Sequence, residues 1–400
     1  MDVVNSALEN SPLAMLYESS DPVDAFSYGV ENIPNHSRQR AEVVVSSPAL
    51  SQDMSVEIPK YGILTKIIAK IDFTQATAAG ATPAVGRTGA QGLNMLDYIE
   101  LHSSNRVLSR MSQKGLAGML SSMDSDKSTQ VANAMNTSNA VATNKLAFIP
   151  FMYFLSSQWR GDAGKEEYRG CFDTRFVETL NVRMRLLPAD SWEGDNGLTA
   201  GDLVLGVGTL NAVSFIFHYR VPSEPVYRSL EEKNYAGGVL NISNLTEFAE
   251  SSKAITSGDT SETIALNSNG LVKKMFIQIE KASQLADNDT ADRRVSHPIT
   301  KLTLNGSGRE IISFYGPEIQ YLDDIKKSST TINTYVLDFS AIPSASGYTG
   351  GLSLREIANP ELVVEFADPS ENATLTVVHL QHELLSINPA NGRISVSLSS

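Results

Sequence analysis

A single cysteine, Cys171, occurs in 400 residues. That excludes an intrachain disulfide and suits assembly in a reducing compartment. A reactive thiol needs a histidine or a strongly basic neighbourhood. Cys171 has only Arg169 and Arg175 near it in sequence, so it reads as a small buried hydrophobe. Charge is also sparse. Lys and Arg number 32 against 45 Asp and Glu, a net −13, and the charged fraction of 19% lies below the usual quarter. The basic pair Arg293 and Arg294 sits among Asp287, Asp289 and Asp292. Neutralising phosphates takes clustered cations, so sequence-specific nucleic-acid binding is excluded. No apolar run reaches bilayer length; the densest, LAFIPFMYFL (146–155), is about half of what a helix needs. The opening MDVVNSALENSP carries neither the basic stretch nor the hydrophobic stretch of a secretory signal, so a soluble protein made where it folds is expected.

Catalytic and metal-binding patterns are equally thin. Of six histidines, only His379 and His382 stand close together, in HLQHE with Glu383. On a helix that spacing would stack two imidazoles on one face. The segment alternates like a strand, where residues an odd number apart point to opposite sides and cannot chelate together. His36, His102, His218 and His297 have no neighbour at ligand spacing. DNDTAD (287–292) lacks the glycine and closing glutamate of a calcium loop. GVGTLN from Gly206 lacks a third glycine and a following helix, and NGSGR (305–309) looks like a strand-joining turn rather than a nucleophile elbow. No carboxylate pair stands out as general acid and base. The two tryptophans, Trp159 and Trp192, could stack a sugar or pack at a subunit contact. The expectation is no enzyme, no cofactor and no metal.

What the chain does contain is alternation. In YGILTKIIAKIDF (61–73), Ile63, Thr65, Ile67, Ala69, Ile71 and Phe73 share one face while Lys66, Lys70 and Asp72 share the other. This period of two marks a half-buried antiparallel strand. DTRFVETLNVRMRLL puts Val182, Met184 and Leu186 inward and Arg183 and Arg185 outward, and TLNAVSFIFHYR has an inner face of Val213, Phe215, Phe217 and Tyr219. TYVLDF (334–339), ELVVEF (361–366) and TLTVVHLQHELLSI (374–387) are rich in β-branched residues. Helical periodicity is confined to VVNSALEN, MSQKGLAGMLSSM (111–123) and LTEFAESS (245–252). The fold class is all-β.

The chain also repeats itself. YGILTKIIAKIDF returns as NGLVKKMFIQIEK (269–281), pairing Gly62 with Gly270, Lys66 with Lys274 and Ile71 with Ile279, an offset of 208. YIELHSSNRVLS (98–109) matches KLTLNGSGREII (301–312) at 203, PFMYF (150–154) matches TYVLDF near 183, and TLNAV (209–213) matches TLTVV (374–378) at 165. Offsets that fall in order indicate two homologous domains, the second with shorter loops. The division is an N-terminal arm (1–54), a first domain (55–220), a Pro- and Gly-containing connector (221–239), a second domain (240–390) and a C-terminal tail (391–400). The Ala-, Gly-, Thr- and Ser-rich stretches 75–92 and 125–143 are long insertions in the first domain. About eight strands per domain with long connections suggest two tandem jelly rolls.

VEIPKYGILTKIIAKIDF, MLDYIELHSSNRVLSRMSQKGL, LAFIPFMYFLSS and CFDTRFVETLNVRMRL, followed by ITKLTLNGSGREIISFYG, INTYVLDFSAIP, LSLREIANPELVVEF and TLTVVHLQHELLSI, resemble in order the strands of a known family. It is the double jelly-roll major capsid proteins of the adenovirus, tectivirus and large nucleocytoplasmic DNA virus lineage. The similarity spans about residues 55–390. It implies a homotrimeric, pseudo-hexagonal capsomer that tiles an icosahedral virion shell, assembled in the host cytoplasm, with penton and minor capsid proteins as partners. Tectivirus-like members place the N-terminal arm near an internal membrane. Residues 1–40 here carry six acids against Arg38 and Arg40, a poor match to anionic lipid. Two rival readings stay open at this point: a tandem jelly-roll glycan-binding or glycan-processing protein, and a minor virion or spike-base protein.

Overall fold

The computed structural model describes residues 36–74, 91–104, 106–122, 131, 134–135, 144–151, 172–189, 209–222, 224, 240–247, 250–268, 270–281, 299–315, 318, 325–327, 334–339, 350–367, 372–388 and 392–398. In the first domain these form β1 (His36–Val44), β2 (Asp53–Glu57), β3 (Ile63–Thr74), β4 (Leu96–Ser103), β5 (Arg106–Ser112), β6 (Asn144–Pro150), β7 (Phe172–Asp173), β8 (Leu180–Leu186) and β9 (Thr209–Pro222). Helix α1 (Gln91–Met95) precedes β4, and α2 (Gln113–Ser122) follows β5. The second domain contains β10 (Leu240–Glu247), β11 (Ser251–Ile255), β12 (Ser261–Ala265), β13 (Leu271–Lys281), β14 (Ile299–Gly306), β15 (Arg309–Tyr315), β16 (Ile325–Lys327), β17 (Thr334–Asp338), β18 (Leu352–Ser353), β19 (Glu361–Phe366), β20 (Ala373–Asn388) and β21 (Arg393–Leu398).

All pairings are antiparallel, in four sheets. The first domain has the orders β1-β9-β3-β6 and β2-β8-β4-β5; the second has β10-β20-β13-β17 and β12-β19-β14-β15. Apart from the β4–β5 and β14–β15 hairpins, successive principal strands alternate between the two sheets of their domain. That is the jelly-roll path, in which the first strand closes beside the last. The two domains therefore form a tandem double jelly roll.

Burial follows the alternation. Val182, Met184 and Leu186 point inward while Arg185 is exposed, and Val213, Phe215, Phe217 and Tyr219 line the same core. Tyr219 keeps its hydroxyl satisfied by donating to the Pro59 carbonyl at 2.7 Å. Strand β3 departs from strict alternation. Its register against β9 slips between Leu64 and Lys66, so Leu64 enters the core and Ile63 is only half buried. A bulge inserts one residue and reverses the faces on its far side, which alternation alone does not reveal.

Three of the bulges are themselves duplicated, while the slip at Asp72/Phe73 has no counterpart in β13. The slip at Leu64/Lys66 recurs at Val272/Lys274. The slips at Leu96/Tyr98 and Leu101/His102 recur at Ile299/Lys301 and Leu304/Asn305. Equivalent ladder positions give offsets of 208 for β3 with β13 and 203 for the hairpins. For β6 with β17, Ile68 faces Pro150 as Phe276 faces Val336, an offset of 186. For β9 with β20, Ile71 faces Val213 as Ile279 faces Leu375, an offset of 162. The decline is real, but the last two values differ by three residues from those of the sequence matches. A shift of three swaps the faces of a strand, so those two short matches reflect shared composition rather than register.

Three further features differ from expectation. Residues 36–44, within the stretch set apart as an arm, form β1 and pair with β9, so Arg38 and Arg40 belong to a sheet. Residues 393–398, within the stretch set apart as a tail, form β21 on β20. LTEFAESS is not helical where described: 245–247 pair with β20, and 251–255 form β11 on the same strand. Pairing with a long buried strand outweighs local helix propensity. MSQKGLAGMLSSM does contain α2, and VVNSALEN lies outside the described residues.

The β14–β15 turn places Ser307 at φ 54° and Gly308 at φ 72°, the two positive angles of a type I′ hairpin. Ser104, at the same place in the first domain, has φ 53°. A Cβ on Gly308 would meet nothing within 4 Å. Gly308→Ala therefore isolates backbone strain and is expected to cost about 1–2 kcal/mol. The check is a lower chemical-denaturation midpoint with an unchanged slope.

Candidate functional site at the seam of the two domains

The residues that sequence reading weighed for chemistry do not converge. Cys171, Trp159, Trp192, His297 and 287–292 lie outside the described residues. Among the described residues no group of three His, Cys, Asp or Glu could hold a metal ion. His379 and His382 lie on β20 opposite Met275 and Leu271, as expected for a strand. Both are buried, and the His379 ring nitrogens have no hydrogen-bond partner among the described residues. Burial pushes each imidazole down to about 4, with Lys273 adding to the effect at His382. His102 contacts Glu100 at 2.8 Å, and Glu100 also meets Arg110 at 3.3 Å. That cluster belongs to a polar outer face on which Asp53 bonds Arg183 and accepts from the Tyr98 hydroxyl at 2.5 Å.

Polar and apolar contacts converge between the domains. Ser112 ends β5 and caps α2, its Oγ accepting from the Gly115 amide at 3.1 Å. The second domain supplies two carboxylates at this helix start. Glu247 accepts from the Ser112 amide at 2.7 Å, and Glu250 accepts from Ser112 Oγ at 2.7 Å. Carboxyl oxygens at a helix N-terminus take up amide donors that the helix itself leaves unpaired. Thr246 Oγ1 donates to the Leu108 carbonyl at 3.2 Å. Lys114 reaches Thr376 Oγ1 at 3.1 Å and Glu250 at 3.4 Å, while its own carbonyl accepts from Gln278 Nε2 at 2.7 Å.

Apolar burial continues the junction. On β13, Met275, Ile277 and Ile279 face the second core, whereas Phe276 belongs to the core of the first domain. Val336 on β17 and Val378 and Leu380 on β20 do the same. This sheet buries apolar side chains on both sides because its outer side is covered by the first domain. Gly118 of α2 lies against the Phe276 ring so closely that a Cβ would come within 2.1 Å of it.

Sequence reading did not single out this seam. Its signal was the loss of alternation in TVVHL, where residues on both faces are apolar, and the small Ala117 and Gly118 within a short helix. Glu247, whose carboxyl burial pushes up to about 8 against the lowering effect of Ser112, has the raised value of a general acid. Its position argues otherwise: it is buried and its oxygen holds a helix terminus. Such shifts also arise in structural networks.

No protein-family model and no curated protein matches this chain. Solved structures do. VP54 of PBCV-1 aligns at TM-score 0.68 and 12% identity, over 92% of this chain and 98% of that one. The Faustovirus major capsid protein aligns at 0.63 and 8%, over 90% and 92%. The mavirus major capsid protein aligns at 0.52 and 9%, over 90% of each. At such identities the likeness is one of fold, and it extends through both jelly rolls.

Two predictions follow from the seam and the buried histidines. Gly118→Ala forces the helix and Phe276 apart and is expected to cost about 1–3 kcal/mol, read as a lower thermal midpoint; Ser121→Ala on the same helix serves as a control. The second concerns pH. Glu247 is raised from 4.5, so its contribution is complete below that value and is lost as pH rises through about 8. The histidines are lowered from 6.5, so theirs is present above that value and is lost as pH falls towards about 4. Thermal midpoints from pH 4.5 to 9 should fall on both sides; Glu247→Gln should flatten the alkaline limb and His379→Leu the acidic one.

Proposed function

We propose that this chain is the major capsid protein of a DNA virus, three copies forming a pseudo-hexagonal capsomer that tiles an icosahedral shell. The observation that carries this reading is the two-way extent of the structural likeness. About 90% of this chain corresponds to 92% of the Faustovirus capsid protein, an extent that only two barrels together can supply. Function is not transferable from one jelly roll, which hosts many activities. Two in tandem with a buried seam are a more specific arrangement.

Geometry supplies the mechanism. A shell subunit has no reaction to catalyse; it must present reproducible edges to its neighbours. Two barrels of one design, joined by a seam, give a trimer six similar lobes. The net charge of −13 suits a shell whose inner face does not grip nucleic acid. Residues 55–220 and 240–390, the first joined by β1, would be the two lobes. Penton and minor capsid proteins are the partners this reading requires, with assembly in the host cytoplasm.

The test is the mass of the purified chain by light scattering after size exclusion, across dilution and salt. Three copies of the 43.3 kDa chain give about 130 kDa, and a closed ring with buried contacts should hold that mass on dilution. A monomer at every concentration would overturn the reading.

A further inference from the structure

The seam joins β5 of the first domain to β10 of the second, and the duplication provides each of these strands with a counterpart elsewhere in the chain. At the offset of 203, Leu108, Ser109 and Ser112 of β5 correspond to Ile311, Ile312 and Tyr315 of β15. The first three are buried, with exposures of 1%, 0% and 6%. Their counterparts are 44%, 40% and 56% exposed. Positions covered in one domain are thus open in the other, and there the two serines are replaced by Ile312 and Tyr315. An exposed apolar edge of this kind is a contact surface or an aggregation hazard.

The counterpart of β10 is β1. Arg40 faces His218 of β9 as Glu247 faces Leu380 of β20, and Gln39 faces Tyr219 as Thr246 faces Gln381. Gln39 and Arg40 are exposed, and so is Val44, at 65%. Both β1 and β15 stand at sheet edges with no further strand paired to them among the described residues.

From this duplication we infer that β15 of one chain docks against β1 of a second copy, repeating between molecules the junction that β5 and β10 make within one. Charge supports that occupant. At the seam the Ser112 amide is taken by Glu247. At the equivalent open place the Tyr315 amide already donates, at 2.9 Å, to Glu318 of its own chain, and Arg40 stands where Glu247 stood. Arg40, paired with Glu42 of its own chain at 3.1 Å, puts a cation where the seam has a buried carboxyl, and Glu318 puts an acidic side chain on the other edge. Arg40 of one copy then meets Glu318 of the next, Gln39 reaches the Ile311 carbonyl as Thr246 reaches that of Leu108, and the apolar side chains of β15 are covered. The contact is heterologous, so it builds a ring where the rotation closes and an open filament where it does not. With three chains, internal and external junctions alternate around six lobes. The closed ring rests on the capsomer reading above.

The experiment uses the full chain in a Cys171→Ser background. Two variants, Gln39→Cys alone and Ile311→Cys alone, are mixed, co-assembled and oxidised. A two-chain covalent species on non-reducing gels is expected in the mixture and absent from each variant by itself. In parallel, Arg40→Glu and Glu318→Arg should each lose the three-chain species, and the double exchange should restore it. Leu146→Asp, at a residue exposed on β6, should leave it intact. Trimers that form without the cross-link, and that persist in Arg40→Glu and in Ile311→Asp/Ile312→Asp, would overturn this contact while leaving the capsomer reading standing. A parent chain that is monomeric throughout would overturn both.

Discussion

The sheet β10-β20-β13-β17 cannot stand alone in water, because it buries apolar side chains on both faces. Met275 and Ile277 close one core while Phe276, between them, is buried in the other. Fully burying a side chain of this size stabilises by about 1.5–3 kcal/mol. Val336, Val378 and Leu380 extend the same covered surface. The second barrel is therefore folded against the first rather than beside it. The close approach of α2 to this sheet depends on a glycine, Gly118, under an aromatic ring, Phe276.

Hydrophobic contact alone is non-directional and would tolerate sliding. The polar groups at the mouth of α2 remove that freedom. Ser112 serves at once as helix cap, as donor to Glu250 and, through its amide, as donor to Glu247. Buried polar groups of this kind are costly to leave unpaired, so only one placement of the helix satisfies them all. The net gain in stability is modest; the gain in uniqueness is larger.

Much of the fold was legible in the sequence, since alternation and duplication are both patterns of hydrophobic spacing. The inner faces of β8 and β9 could be read residue by residue, and the repeat of β3 in β13 was visible because Gly62, Lys66 and Ile71 recur with it. What could not be read had identifiable causes. Bulges change parity without changing composition, which misplaced Ile63 relative to Leu64 and let two short matches slip by three residues. The strands β1 and β21 are locally weak and are recruited by partners far along the chain. The seam was illegible because Phe276 and Val378 look like any core residues; only the structure shows that their core belongs to the other domain.

The jelly-roll path also imposes a timetable. His36 pairs with Pro222, and Leu240 with Ile387. The first barrel cannot close until some 180 further residues have left the ribosome, on the order of ten seconds or more at ordinary synthesis rates. The second closes only near the end of the chain, and until then the outer face of its sheet and the face of α2 that meets it are both bare. Non-local pairing of this order folds slowly and leaves strand edges open to strangers. Any cell making this protein in bulk holds many such open edges at once, and they stay exposed to one another until the partner strand of each barrel has emerged.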